Sequence, residues 1–285
     1  MRPCDQVARL RKRQISAWLL SLLFLALAVL RGLQLGAEEE SQPDLHDRGR
    51  TLMEQREKVL EGYGDEWDLI VVTQLNEDSA VEWERKVEQR LLEGPSHADL
   101  SMLKFIAPRN ICGTGLLTHN HPEGEDDQWL HLPAARMTRR IAASGRSERF
   151  VGSELTYEDL TVWQVDDYTY SYAGQEGVSG RTLHVVEATP KEADSGYSKV
   201  VHFLDPETLQ IQRTRYFDRK GDPLKIAEHE GYERMEGRWW RYKKMTMRNQ
   251  QTGSVTVVEF LERKIRIGLS RGDFTLPALE RPPQC

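Results

Sequence analysis

Cysteine is scarce in this chain, with three in 285 residues, and none stands in a Cys-x-x-Cys pair. That removes zinc ribbons and thioredoxin-like redox chemistry. No P-loop, Gly-x-Gly-x-x-Gly or His-Glu-x-x-His motif occurs, so nucleotide cradling and zincin hydrolysis have no sequence basis. Strands do not alternate regularly with helices, which excludes a doubly wound nucleotide-binding sheet. Positive charge is also short: 39 Lys and Arg stand against 45 Asp and Glu. Mean hydropathy is −0.61, too low for a multi-pass membrane protein.

One apolar run breaks that average. ISAWLLSLLFLALAVL, Ile15 to Leu30, follows Arg9, Arg11, Lys12 and Arg13 and precedes the small residues Gly36 and Ala37. As a helix it rises ~24 Å, less than the ~30 Å hydrocarbon core. A basic flank, a short apolar core and small residues describe a secretory signal peptide over 1–37, cleaved after Ala37; an uncleaved N-terminal anchor is the alternative. Residues 38–285 then form a single exported domain. The first 37 residues carry a net +5, so of the whole chain's −6 the remainder holds −11. Such an acidic domain is a poor partner for nucleic acid. The best local basic patch is Arg136, Arg139, Arg140, Arg146 and Arg149, equally readable as a solvated strand and turn.

Export leaves Cys112 and Cys285 as an even pair in an oxidising compartment, a candidate disulfide. No cysteine follows the apolar run in a Leu-x-x-Cys lipid-attachment box.

Helical spacing marks 45–62, where Leu45, Leu52, Val59 and Leu60 recur and Gly62 offers a stop; 81–94, with Val81, Trp83, Val87 and Leu91-Leu92, reads as a long alternating strand or, alternatively, a helix. Beyond Gly62, strand-like segments follow one another: 67–75, 81–94, 100–108, 113–119, 128–133, 168–174, 182–190, 198–205, 208–218, 223–235, 238–250 and 254–265. In 208–218 alternation places Leu209, Ile211, Arg213, Arg215 and Phe217 on one side. Short turns such as DPET and DRKGDP separate them, the pattern of an antiparallel meander.

FVGSELTYEDL (150–160) interrupts this series with three acids, three hydroxyls and a glycine. Read physically it is a capped turn, helical over 157–160, with Ser153 and Thr156 as caps, Glu154, Glu158 and Asp159 paired to the preceding arginines, and Phe150 and Leu155 buried. It could also form a cavity mouth or docking surface. Catalysis is disfavoured, because Ser153 lacks a Gly-x-Ser-x-Gly context. THNHPEGEDD (118–127) offers His119, His121, Glu123, Glu125, Asp126 and Asp127, but Pro122 and Gly124 make it a solvated turn rather than a metal site. His202 and His229 have no ligand-spaced companions and read as ordinary strand residues.

The chain resembles the LolA-like outer-membrane lipoprotein-sorting family over roughly residues 65–265. The resemblance rests on Phe105 and Pro108, Gly113-Thr114, Asp127, Trp129, Leu130, Leu132 and Pro133, Arg139-Arg140, Phe150, Gly152-Ser153, and Tyr157-Glu158-Asp159. It implies a mainly β fold: a LolA/LolB-like half-open antiparallel β-barrel of about eleven strands with a few helices over the concave face. It also implies a periplasmic carrier of lipid or lipoprotein acyl chains, without covalent chemistry, cofactor or metal. An inner-membrane transporter, of the resistance–nodulation–division class, and an outer-membrane acceptor would be its partners. Trp129, Leu132, Phe150, Trp163, Tyr168 and Tyr170 are the expected cavity-lining residues. Arg139, Arg140, Gly152, Ser153, Tyr157, Glu158 and Asp159 are the expected structural motif. An envelope scaffold with a filled core, or a lipid or glycan hydrolase, would be the rival functions.

Overall fold

The computed structural model describes residues 42–285; the expected signal peptide or anchor of 1–37 lies outside them. Among the described residues no helix is long and apolar enough to cross a membrane. Leu45–Cys285 forms one compact unit.

Among the described residues are fifteen strands, most of them built on alternating apolar and polar residues, and two α-helices. After α1 (Gln42–Leu60) come β1 (Asp65–Leu75), β2 (Val81–Leu92), β3 (Leu100–Ala107), β4 (Gly115–His119), β5 (Asp127–Leu132) and β6 (Met137–Arg140). A long irregular segment leads to β7 (Tyr168–Val178), β8 (Arg181–Pro190), β9 (Tyr197–Leu204), β10 (Ile211–Asp218) and β11 (Pro223–Glu230). The last strands are β12 (Glu233–Met235), β13 (Trp239–Arg241), β14 (Lys244–Asn249) and β15 (Val255–Ile265), followed by α2 (Leu276–Glu280). Thirteen strands form one sheet in the order β6-β5-β4-β3-β2-β1-β15-β14-β11-β10-β9-β8-β7, and β12–β13 is a separate ribbon. Each meander pairs antiparallel, and β15 joins them by pairing with β1. β6 and β7 end the sheet as free edges, so it is an open sheet and not a closed barrel.

The strand count exceeds the twelve strand-like segments because two of them each break and because β6, Met137–Arg140 in the basic stretch, is a further strand. PLKIAEHEGYERM splits at Gly231, whose φ of +68° suits glycine and ends β11. RWWRYKKMTMRNQ splits between β13 and β14. In β10 the simple alternation also fails, since the register shifts between Ile211 and Arg213. Thr214, 2% exposed, is thereby turned inward.

The two faces of the sheet carry different cores. Leu103, Phe105, Leu116 and Leu130 join Ile70, Val72 and Val258 on the inner face. Leu100, Met102 and Leu117 join Phe274 and Leu279 of the C-terminal segment on the other. α1 lays Met53, Leu45 and Leu52 against Tyr170, Tyr172, Val186 and Leu204. A Cβ at Gly49 would stand 2.9 Å from the Ser171 carbonyl carbon, so the helix rests directly on the β7 backbone. Cys112, in the β3–β4 turn, is disulfide-bonded to Cys285, with Cα atoms 6.0 Å apart.

Candidate functional site

Strand β1 turns Glu66, Asp68, Ile70, Val72 and Gln74 inward by its two-residue period. The inner face is therefore charged at one end, apolar in the middle and polar at the other. Over the middle lies an apolar groove of about 70 Å³, lined by Ile70, Val72, Phe105, Phe150, Leu155 and Val258 among others. Beside it, sharing Gln89, a cavity of about 290 Å³ opens against α1, bordered by Met53, Arg56, Tyr232, Tyr242 and Phe260. A third cavity of about 430 Å³ is polar, with Asp126, Glu158, Asp167, Glu192, Arg146 and Lys191 on its walls. Val162 and Trp163 border both larger cavities. Another concavity, of about 1270 Å³, includes the Arg213 and Glu228 pair.

The FVGSELTYEDL segment forms one wall of the apolar groove through Phe150, Leu155 and Leu160. All three of its acids are engaged, each by a different part of the chain. Glu154 accepts from Asn249 Nδ2 at 2.9 Å and pairs with Arg149 at 2.5 Å. Glu158 accepts from the Gly196 amide at 2.8 Å and from the Ser195 hydroxyl. Asp159 accepts from Tyr197 Oη at 2.7 Å and pairs with buried Lys225 at 2.5 Å. Of these carboxylates only Glu154 pairs with one of the preceding arginines; Arg140 instead reaches Asp127 at 2.6 Å, and Arg146 reaches Glu192 at 3.2 Å. The helical turn spans Glu158–Leu160 and lacks a side-chain cap at Tyr157. Ser153 Oγ donates to Phe150 O at 2.8 Å instead, and Thr156 Oγ1 to Asp159 at 2.9 Å. Ser153, spent on a backbone carbonyl, has no general base among its hydrogen-bond partners.

The other aromatic candidates separate. Trp163 stacks on Tyr168 with centroids 3.7 Å apart, meets His202 edge-on at 4.7 Å, and donates from Nε1 to Tyr170 Oη at 3.1 Å. Tyr168 lines the polar cavity, while Tyr170 packs under α1. Trp129 lies on the opposite face, against His119 and the cluster of Phe274 and Leu279. Leu132 packs at the edge of the inner core, with Tyr157 and Ile141. Arg139 is exposed on β6, and Gly152 takes φ +82° in the turn after Phe150. In the 118–127 turn, Asp126 accepts from Asn120 Nδ2 at 2.9 Å and Asp127 from His121 Nε2 at 3.0 Å. Among the described residues the grouping of three side chains that could share a cation is elsewhere, at the rim of the α1 cavity, where His97 Nε2 lies 3.9 Å from Glu57 and 4.0 Å from Glu61.

Ionic residues that the sequence reading passed over make up the floor of the α1 cavity. Glu66, 2% exposed, accepts from Arg241 Nε at 2.8 Å and pairs with Arg263 at 2.9 Å. Arg263 Nε also donates to Asp68 Oδ1 at 2.7 Å. Burial and the adjacent Glu66 charge push the Asp68 carboxyl up to about 7, against the pull of Arg263. His202 and His229, read as ordinary strand residues, hold buried ring nitrogens without partners, Nε2 and Nδ1 respectively. Burial, with Arg56 and His229 as like charges, pushes His202 down to about 3. The period-two pattern of DEWDLIVV already marked Glu66 and Asp68 as sharing a face with Ile70 and Val72.

His202 makes a pH test possible. Its folded pKa lies below the ordinary histidine value, so between pH 6.5 and 3 the unfolded chain binds the extra proton. The stability it contributes is present above about pH 6.5 and is lost on acidification. Between pH 7 and 5 the wild type should lose about 2 kcal/mol more than His202→Gln. Urea midpoints at the two pH values measure this; parallel losses would mean that His202 is not held neutral. Asp68 acts with the opposite sign: its folded pKa is raised, so its contribution grows as pH falls through 7.

Residues 97–281 match a family model described as an uncharacterized protein. None of the curated proteins matches the chain. Among solved structures, a protein domain described as outer membrane lipoprotein-sorting, from Vibrio parahaemolyticus, is 31% identical. That match covers 83% of this chain and 100% of that one, with a TM-score of 0.80. A DUF1329 family protein from Desulfovibrio piger is 27% identical, with coverage of 82% and 99% and a TM-score of 0.78. A LolA superfamily protein from Nitrosomonas europaea, 17% identical, shares the fold over 80% of this chain and 98% of that one at a TM-score of 0.64. With the open antiparallel sheet, its helix-covered inner face and the motif residues in place, the chain belongs to the LolA-like outer-membrane lipoprotein-sorting family.

Proposed function

We propose that this protein is a periplasmic carrier that holds the acyl chain of a lipid or lipoprotein on the inner face of its sheet. In this reading it passes the ligand from an inner-membrane transporter to an outer-membrane acceptor. The observation that carries the proposal is the unfilled inner face: the apolar groove over Ile70, Val72 and Val258 lies next to the larger cavity beside α1, with Gln89 lining both. A filled-core scaffold has no use for such space, since protein interiors otherwise pack closely. Moving a chain from water into the groove releases about 0.8 kcal/mol per methylene, so carriage needs no covalent step. Consistent with that, the acids and the serine of FVGSELTYEDL are committed to structural hydrogen bonds rather than to a nucleophile–base pair. The apolar groove holds about 70 Å³ and the cavity beside α1 about 290 Å³, so a long acyl chain would require α1 or the FVGSELTYEDL segment to move.

The test is native mass spectrometry of the full-length gene product, purified from the cell envelope without detergent, with lipid extraction. A stoichiometric amphiphile is expected. Val72→Trp, which fills the groove, should lose it while keeping the far-ultraviolet spectrum of a folded β protein. A homogeneous ligand-free mass that also fails to take up a fatty alcohol would overturn the proposal.

A further inference from the structure

We propose that the cavity beside α1 selects amphiphiles with an anionic headgroup, a carboxylate or a phosphate monoester, and that Arg56 holds that group. This rests on the carrier reading and adds the chemical class of the ligand.

Arg56 lines the cavity from α1. Its Nε is buried without a hydrogen-bond partner, and among the described residues no carboxylate lies within ion-pair distance of its guanidinium. An inward-facing cation without an anion is costly to keep. The neighbouring carboxylates are already taken, Glu66 by Arg241 and Arg263, and Asp68 by Arg263. The titratable groups that act on the guanidinium are the Tyr232, Tyr242 and Tyr170 hydroxyls, neutral at pH 7, and a second cation, Arg241. Within the cavity the Glu66 and Asp68 carboxylates are matched by Arg241 and Arg263, and Arg56 is the cation left without an anion. The planar guanidinium can meet a carboxylate or phosphate with two parallel hydrogen bonds. The adjoining apolar groove over Ile70 and Val72 would take the attached chain.

The rim has the opposite sign. Glu57, Glu61, Glu93 and Asp99 line the same cavity with His97. Glu93 accepts from the Gly62 and Gly64 amides, at 2.7 and 2.6 Å, and Asp99 from the Gly94 amide at 2.7 Å. A rim of this kind could instead favour a cationic amphiphile, and the experiment separates the two.

Four amphiphiles of equal chain length are compared on the full-length protein by displacement of the neutral dye N-phenylnaphthylamine: palmitate, palmitoyl lysophosphatidic acid, hexadecanol and hexadecylamine. The proposal expects at least one acid to displace the dye at a concentration about tenfold or more below hexadecanol, the scale of a charge-assisted hydrogen bond in a partly desolvated site. Which acid wins identifies the carboxylate or the phosphate. Arg56→Gln should bring the acids to the level of hexadecanol without weakening hexadecanol itself, and Arg56→Lys should keep a preference. Equal affinity for hexadecanol and both acids, a preference for hexadecylamine, or an acid preference that survives Arg56→Gln would overturn the headgroup assignment alone. Failure of all four to bind the wild type would overturn the carrier reading and this inference together.

Discussion

Lys225→Met is expected to lower the unfolding free energy by about 3–5 kcal/mol, the usual consequence of deleting one partner of a buried ion pair. Lys225 and Asp159 are 2% and 5% exposed in their side chains, with Nζ 2.5 Å from Oδ2. Nζ also donates to Glu154 O at 3.0 Å, and it sits 5.2 and 5.1 Å from the ring centroids of Tyr197 and Tyr216. A methionine fills the stem's volume but leaves the carboxylate with only the Tyr197 and Thr156 hydroxyls and the Thr156 amide. Neutralising that carboxylate in the double variant Lys225→Met/Asp159→Asn should restore part of the loss, because much of it is an uncompensated buried charge and not a missing contact. Urea unfolding at neutral pH measures both. A single variant as stable as the wild type would show that the pair does not pin the segment.

The same variant should disturb ligand uptake. Asp159 and Glu154 anchor the segment whose Phe150, Leu155 and Leu160 wall the apolar groove. Releasing it should weaken dye binding under conditions where the protein remains folded.

Removing the disulfide, as Cys112→Ser with Cys285→Ser, is expected to cost about 3 kcal/mol and to raise the denaturant slope. The two half-cystines are 173 residues apart in sequence. Chain-entropy arguments give such a loop on the order of 5 kcal/mol, and measured values run lower. Two features favour the lower figure. The C-terminal segment is held independently by Phe274 and Leu279, 1% and 0% exposed, and by Lys104, whose Nζ donates to Ala278 O at 2.8 Å and Arg281 O at 2.9 Å. Only the last residues depend wholly on the bond. The slope should rise because an uncrosslinked denatured chain exposes more surface. An unchanged midpoint under non-reducing conditions would show that the bond is dispensable to the folded state.

Much of the architecture was legible in residue order. Turn signals such as DPET and DRKGDP fall between β9 and β10 and between β10 and β11, and the helix read at 45–62 is α1. Gly231 was visible but gave no sign of ending a strand, because its positive φ reflects a chain reversal set by the β12–β13 ribbon. In FVGSELTYEDL the acids and hydroxyls were evident, yet their partners Ser195, Lys225 and Asn249 lie 37, 66 and 95 residues away. The arginines immediately upstream were the nearest cations in sequence, but only Arg149 among them reaches an acid of the segment. Trp129 shows the same limit: its strand was clear, its face was not.

By itself, then, the order of residues determined the mainly β class, the leading helix, the absence of a recognisable catalytic motif and the family resemblance. All of these follow from local periodicity, turn chemistry and short motifs. Only the tertiary structure decided which face of each alternating strand is covered, and hence that Glu66, Asp68, Arg263 and His202 point inward while Trp129 points away. A two-residue period defines two faces but does not say which is buried. Burying a charge is tolerable only when its partner arrives, and here Arg241 comes from 175 residues away and Arg263 from 195.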